Sequence, residues 1–339
     1  MDYIGSKEKL NQWLFAKMLA GQVPSSRILF FDACAGSGAV SRYAAGLGLA
    51  VVSTDLFAFS AQIVRGSSLF PLERLPEAEA HINKINALPP LHGFFTEHYS
   101  ELGARLYFSV ENTQQIDAAR AYLETIEDSL LRSYLFYCGL EALSRVSNTA
   151  GVQAAYLKKL KERAQRPLTF RLEKTLGVQT PVEALTGDIL KTLRDPVFRA
   201  THQEDILYID PPYNERQYGP NYHLYETFVL DDDPEIRGKT GIRDWANEHK
   251  SDFCSRKTCL TFIQNIIEAT SAHKIFISYN SDGLIPEKEM VAFLVGLPGD
   301  HLGVSTHALP QRRYKSDTSD TRTYNEKPLK ELLFEIEKL

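Results

Sequence analysis

Positive charge is not in excess in this sequence. Its 38 Lys and Arg face 43 Asp and Glu, a formal net charge of −5 over 339 residues, so no global basic field draws in a polyanion and any nucleic-acid surface must be local. Cysteine is sparse. Cys34, Cys138, Cys254 and Cys259 form no disulfide framework in a chain this long, which implies a reduced, intracellular setting. His249, Cys254 and Cys259 are each five residues apart, a spacing that matches no ordinary zinc pattern, so no metal is expected. No apolar run approaches the roughly 18 residues that span a membrane. The opening MDYIGSKEKLNQW has no apolar core of the kind a secretory leader carries. There is no internal repeat and no low-complexity tract.

What is present is ordinary globular composition, 43% hydrophobic and 24% charged. Four short runs read as buried parallel strands: Ile28–Phe31, Leu49–Ser53, Ile206–Ile209 and Ile275–Ser278. Between the first two, SGAVSRYAAGLG reads as a helix, which completes a strand–helix–strand unit of an open α/β sheet. The middle of the chain differs. Ile116, Ala119, Leu123, Ile126 and Leu130 recur at helical spacing, and Tyr156–Lys174 continues the pattern with many Lys and Arg. The expected organisation is a doubly wound domain over residues 1–64 and 181–339, interrupted by a helical insertion over 65–180. A second irregular stretch, Asn214–Lys257, is polar and contains glycine.

The first run leads into D-A-C-A-G-S-G, Asp32 to Gly38. Gly36 and Gly38 permit a tight turn and a close backbone approach. Asp55 follows Gly36 by 19 residues, at the tip of the next strand, where a carboxylate can hold the two hydroxyls of a ribose. A plain tight turn would also fit. A dinucleotide fingerprint fits less well, because Ser41 stands where the third small residue belongs. Asp32 separates the readings. A carboxylate beside the turn repels a pyrophosphate and attracts an ammonium, which points to the amino-acid end of S-adenosyl-L-methionine.

The run ILYI at 206–209 ends in Asp210-Pro211-Pro212-Tyr213. Strand ends are where ligands bind in open sheets. The prolines fix φ and remove two backbone donors, so the Pro211 carbonyl is a rigid acceptor beside the Asp210 carboxylate. Two converging acceptors suit a flat NH2 group, and the Tyr213 ring offers a face for stacking. The group so held is an exocyclic amine on a heteroaromatic ring. Its lone pair is delocalised, and the two acceptors concentrate that pair and stabilise the charge that develops during alkylation. In a duplex such an amine lies inside the stack, so the base must be turned out. The aromatic stretch Gln217–Tyr225 is expected to fill the gap or order over the base, or else to be a packed surface loop.

These motifs together resemble the D12-class DNA adenine-N6 methyltransferases, the Dam-type group, over most of the chain. YIGSK at Tyr3–Lys7 is similar to the group's N-terminal motif beside the cofactor's methionine end, which implies contacts from Tyr3 and Lys7. DACAGSG is similar to its cofactor turn, so Ala33 and Cys34 join the set, although the family often has Phe where Cys34 stands. Leu56 joins it beside Asp55. GDIL at Gly187–Leu190 resembles the motif whose acid, here Asp188 with Ile189 beside it, meets the cofactor's adenine. DPPYNERQYGPNY resembles the catalytic motif in a longer form found among restriction-associated methylases, and ISYNS at Ile277–Ser281 and QRRYKS at Gln311–Ser316 are similar to that subgroup too. The motif order is that of the α arrangement. The resemblance implies a Rossmann-like S-adenosyl-L-methionine-dependent sheet, transfer of methyl to the N6 amine of an adenine flipped from double-stranded DNA at specific sites, DNA contacts from the helical insertion and from the loop after DPPY, a cytoplasmic, nucleoid-associated bacterial enzyme and a cognate restriction endonuclease as a partner.

A DNA enzyme must neutralise phosphates. Lys158, Lys159, Lys161, Arg163 and Arg166 form one basic cluster and Arg312, Arg313 and Lys315 another. Both are expected on the DNA side, and a solvated face fits either equally well. The other readings are methylation of cytosine N4 or of an RNA base, a non-catalytic DNA-binding partner, and a nicotinamide-dependent dehydrogenase. Covalent cytosine-C5 chemistry needs a cysteine nucleophile, typically after proline, and no cysteine here follows one.

Overall fold

The computed structural model describes residue 1 and residues 3–245, 250–298, 301–311 and 329–338. Its strands in chain order are β1 (Leu29–Asp32), β2 (Ala50–Asp55), β3 (Val182–Thr186), β4 (Ile206–Ile209), β5 (Ile236–Arg237), β6 (Ile242–Arg243), β7 (Lys274–Asn280), β8 (His301–Gln311) and β9 (Leu329–Lys338). Seven of them join in the order β3-β2-β1-β4-β7-β9-β8, and β5 pairs with β6. The pairs β2–β3, β1–β4 and β4–β7 are parallel, whereas β9 runs antiparallel to both β7 and β8. This is a mostly parallel α/β sheet, as expected. Strands covered on both faces read as continuous apolar runs, and LFF, AVV, ILYI and IFIS do so.

The chain forms two compact units. One comprises Met1–Ile28, Ala35–Asp188 and Gln217–Lys250. The other comprises Leu29–Cys34, Ile189–Arg216 and Ser251–Leu339.

The first unit holds a helical core. Helix Ala58–Leu69 lies against helix Ser129–Val146, where Gly66 is so close to the Ser133 carbonyl that an added Cβ would sit 2.7 Å from it. Asp128 caps Ser129–Val146 by accepting from Leu130 N (2.9 Å) and Leu131 N (3.0 Å). The spacing of Ile116, Ala119 and Leu123 belongs to helix Val110–Glu124, where all three are fully buried. Asp128 starts a new helix, so the repeat does not run through Ile126 to Leu130 as one element. Tyr156–Lys174 corrects the helical reading, since its only helical element is the short 3-10 turn Glu162–Gln165. The side chain of Asn112 replaces the missing backbone ladder. Its Nδ2 donates to the carbonyls of Ala164 (3.2 Å) and Arg166 (2.9 Å), and its Oδ1 accepts from Leu168 N (2.7 Å).

In the second unit β1 and β4 pair in the register Phe30↔Ile206 and Asp32↔Tyr208. β1 is shifted one residue from the expected run and ends on Asp32. In the first unit β2 extends two residues past its expected end and finishes on Asp55.

Candidate active site

In the first unit the glycine turn closes on itself. Ala35 N donates to the Thr54 carbonyl (3.0 Å), Gly36 N to Asp55 Oδ2 (2.7 Å) and Gly38 N to the Ala35 carbonyl (2.7 Å). Gly36 and Gly38 have φ of 51° and 69°, the left-handed region that other residues resist. These three amides point inward, and one is held by a carboxylate. A pyrophosphate-binding turn instead offers its amides to the anion. The turn therefore suits a ligand with a cationic end.

Asp55 also accepts from Phe57 N through Oδ1 (3.1 Å). Asp55 is half-buried at the end of β2. The Asp55 carbonyl accepts from Gly187 N (2.7 Å), which fixes the backbone just before Asp188 beside the end of β2. Leu56 is half-buried, Lys7 is 3% exposed, and Tyr3 lies over the turn, where a Cβ on Gly36 would fall 2.8 Å from its Cε1.

In the second unit Asp32 is 1% exposed at the end of β1, and Ala33 N donates to the Tyr208 carbonyl (2.9 Å) of β4. Asp210 is half-buried two residues beyond Tyr208, at the carboxyl end of the adjacent parallel strand. Asp32 and Asp210 thus occupy the ends of paired strands. Pro211 is buried, and Pro212, Tyr213 and Cys34 are half-buried. The Tyr213 carbonyl accepts from Leu284 N (2.9 Å), and its ring packs edge-on to the fully buried Tyr279 at 6.0 Å and 77°. Asn214 Oδ1 accepts from Arg216 N (2.9 Å), turning the chain after Tyr213. Ile189 is buried at the start of helix Ile189–Arg194.

The thiols of Cys138, Cys254 and Cys259 are pushed up by burial, to about 12, 12 and 11, so none of them is an activated nucleophile. His249 lies outside the described residues. No grouping of His, Cys, Asp or Glu able to hold a metal occurs among the described residues. No helix among them is long and apolar enough to cross a membrane.

The basic cluster divides. Lys158 and Lys159 are exposed, whereas Lys161 Nζ donates to the Thr149 carbonyl, Arg163 Nε to the Ser147 carbonyl (3.2 Å), and Arg166 pairs with Glu162 (2.8 Å). A cavity of about 650 Å³ in the same unit is lined by Arg145, Arg163, Arg166 and Arg171 together with Glu141. Arg312, Arg313 and Lys315 lie outside the described residues.

Sequence reasoning missed the helix that follows the DPPY stretch. Gln217–Tyr225 enters helix Gly219–Leu230, with Tyr222, His223, Leu224 and Tyr225 all buried, so it is neither a surface loop nor a loop ordered over a base. Tyr222 stacks on Tyr3 (4.4 Å, 7°), and Glu226 accepts from Ala58 N (3.0 Å) and Phe59 N (3.2 Å). The signal was a lone acid inside a largely apolar run, HLYETFVL.

A profile of the family described as D12 class N6 adenine-specific DNA methyltransferase matches residues 3–290. The chain is 32% identical to the type II methyltransferase M.NlaIII of Neisseria lactamica, over 100% of this chain and 99% of that protein. It is 33% identical to the type II methyltransferase M.FokI of Planomicrobium okeanokoites, over 93% of this chain and 50% of that protein. Among solved structures, the rRNA methyltransferase aviRa of Streptomyces viridochromogenes covers 98% of this chain and 86% of its own at 13% identity and a TM-score of 0.38, too distant to bear on the argument.

Proposed function

Because the chain belongs to the D12 class N6 adenine-specific DNA methyltransferase family, and so is a site-specific DNA adenine methyltransferase, we propose that its methyl donor is S-adenosyl-L-methionine and that Asp210-Pro211-Pro212-Tyr213 grips the N6 amine of an adenine turned out of the duplex. The observation that carries this reading is the DPPY stretch running straight off the buried strand β4, paired with β1, which itself ends in a buried acid.

Bound to this chain, the donor supplies an electrophilic methyl group on sulfonium. The fit rests on the turn, whose amides point inward and whose core is a carboxylate. Asp55 with Leu56 is assigned to the ribose, Asp188 and Ile189 to the adenine of the donor, and Asp32, Ala33, Cys34, Tyr3, Lys7, Gly36 and Gly38 to its amino-acid end. Asp210 has one carboxylate to offer the amine, and the Pro211 carbonyl is the second acceptor. Together they draw the nitrogen toward tetrahedral geometry and stabilise its growing positive charge. Alignment of amine and methyl supplies much of the remaining rate. Asp210 need not be a strong base, because the product ammonium is acidic enough to lose its proton to water. Tyr213, braced by Tyr279, stacks on the turned-out base. Phosphate contacts are assigned to Lys158, Lys159, Lys161 and Arg163, and to Arg312, Arg313 and Lys315, with the insertion at 65–180 as the recognition part and residues 1–64 and 181–339 as the catalytic part. The enzyme then works in the cytoplasm at the nucleoid, paired with a cognate restriction endonuclease.

The test is labelled methyl transfer to duplex DNA followed by digestion to nucleosides. N6-methyladenine is expected, with Asp210→Ala abolishing transfer while S-adenosyl-L-methionine still binds in calorimetry. Label on cytosine, or full activity of Asp210→Ala, overturns the assignment.

A further inference from the structure

The helix Gly219–Leu230 begins six residues after Tyr213, yet its side chains serve the glycine turn in the first unit. Three contacts make the connection. The Tyr222 ring stacks on Tyr3 at 4.4 Å and 7°, and Tyr3 in turn lies against Gly36. The Tyr222 hydroxyl accepts from Ile4 N (2.7 Å), so it also fixes the backbone of the YIGSK segment. One helical turn on, both oxygens of Glu226 accept from the first amides of helix Ala58–Leu69. That helix starts at Phe57 with no Ser, Thr, Asp or Asn at its cap, so its orphan donors need a partner from elsewhere. Glu226 supplies it, and the helix's N-terminal dipole offsets the burial of a carboxylate only 1% exposed. Phe57 is the residue whose amide is held by Asp55, and Asp55 holds Gly36. The contacts close into a ring: Gly36, Asp55, Phe57, the start of helix Ala58–Leu69, Glu226, Tyr222, Tyr3 and Gly36 again.

The helix is shaped for this. Its backbone leaves helical angles at Tyr222 itself (φ −133°, ψ 18°). Gln153 Oε1 accepts from Leu224 N (3.0 Å) and Tyr225 N (3.4 Å), two amides just past the kink, and Gln153 N donates to the Asn221 carbonyl (2.8 Å). The kink is therefore satisfied rather than frayed.

We infer that Tyr222 and Glu226 are positioning residues of the methyl-donor site, setting the glycine turn and the Asp55–Phe57 strand tip from behind without touching the donor. The inference rests on the reading that this turn and Asp55 hold S-adenosyl-L-methionine. A merely core-filling role would lower stability and leave donor affinity in the folded enzyme unchanged.

The experiment measures S-adenosyl-L-methionine binding by calorimetry and steady-state kinetics for the wild type, Tyr222→Phe, Tyr222→Leu and Glu226→Gln, each checked for folding by near-UV circular dichroism. Tyr222→Phe keeps the stack and loses only the acceptor for Ile4, so a small rise in donor Kd, about threefold, is expected. Tyr222→Leu and Glu226→Gln are expected to raise donor Kd and KM about tenfold or more, with kcat at saturating donor falling far less and DNA affinity unchanged. Unchanged donor Kd in folded Tyr222→Leu and Glu226→Gln overturns the inference. Hydrogen exchange on the wild type covers the case of variants that do not fold: added donor must slow exchange at the Ile4, Ala58 and Phe59 amides, and no slowing overturns the inference. If the wild type itself fails to bind the donor, the underlying reading falls first, and the calorimetry distinguishes the two failures.

Discussion

His223 sits in the same kinked helix and makes its fold sensitive to acid. Its ring is fully buried, with Nε2 hydrogen-bonded to the Gln153 carbonyl at 3.1 Å and the rings of Tyr99 and Tyr107 set edge-on around it, each with centroids 5.6 Å away. Nδ1 has no hydrogen-bond partner among the described residues. A proton there would create a buried N–H with no acceptor, close to the positive charge of Arg243. Burial is the main cause that pushes the imidazole down to about 3. Because the folded value lies below the unfolded one of about 6.5, the unfolded chain binds the extra proton. The stabilisation is complete above about pH 6.5 and is lost as pH falls toward 3. Integrating the linkage gives a loss of about 1.4 kcal/mol at pH 5.5 and about 2.7 kcal/mol at pH 4.5. Urea unfolding from pH 4.5 to 7.5, for the wild type and for His223→Gln, isolates this contribution from that of the carboxylates. Glutamine can keep the donor to Gln153 and does not titrate. The wild type should lose about 1.4 kcal/mol more than the variant between pH 7.5 and 5.5. Parallel curves, or an imidazole whose NMR titration falls near 6.5, would refute the reasoning.

Three substitutions test the rest of the frame. Asp55→Ala removes the acceptor for both Gly36 N and Phe57 N and should weaken S-adenosyl-L-methionine binding by about 1.5–3 kcal/mol, the range of hydrogen bonds to charged groups; an unchanged calorimetric Kd would remove Asp55 from the ribose site. Gly36→Ala places a β-carbon 2.8 Å from Tyr3 Cε1 at a φ of 51°, and should cost at least about 1 kcal/mol in urea unfolding from the left-handed backbone alone while raising the donor KM. Gly283→Ala drives a β-carbon well inside van der Waals contact of the buried Tyr279 ring that packs on Tyr213; overpacking of about 1–3 kcal/mol is expected, with kcat lowered and donor Kd kept, read by thermal unfolding and single-turnover kinetics.

What the sequence revealed follows from where local and tertiary preferences agree. The strands that became β1, β2, β4 and β7 carry continuous apolar runs because their residues are buried on both sides of the strand, and that pattern is visible in one dimension. Asp32 and Asp210 each stand at the first polar position after their run, and Asp55 follows its own run after Ser53 and Thr54. Where the preferences conflict, the reading failed. Tyr156–Lys174 has Lys, Glu, Arg and Leu in helix-forming proportion, yet Asn112 and Asn148 take its backbone groups one by one, with Asn148 Nδ2 donating to the Leu157 carbonyl (3.0 Å) and its Oδ1 accepting from Lys161 N (3.0 Å). LKELLFEIEK has similar composition but is β9, pinned between β7 and β8, because ten residues of cross-strand pairing outweigh a per-residue propensity of a few tenths of a kcal/mol.

The same logic explains why the supporting residues were invisible while the motif residues were not. A motif is a short stretch whose residues act together, so its spacing survives in the sequence. Support is long-range: Glu226 caps a helix 168 positions away, Tyr222 holds an amide 218 positions away, and Gln153 satisfies a kink 71 positions away. Each is a single residue inside a mostly apolar helix or a turn, and nothing adjacent to it hints at its partner. What could be read locally was only the cost. A glutamate among HLYETFVL must either reach solvent or find donors in the interior, and a helix opening at Phe57 without a polar cap must find acceptors. Those two unmet needs are complementary, and in this fold each is met by the other.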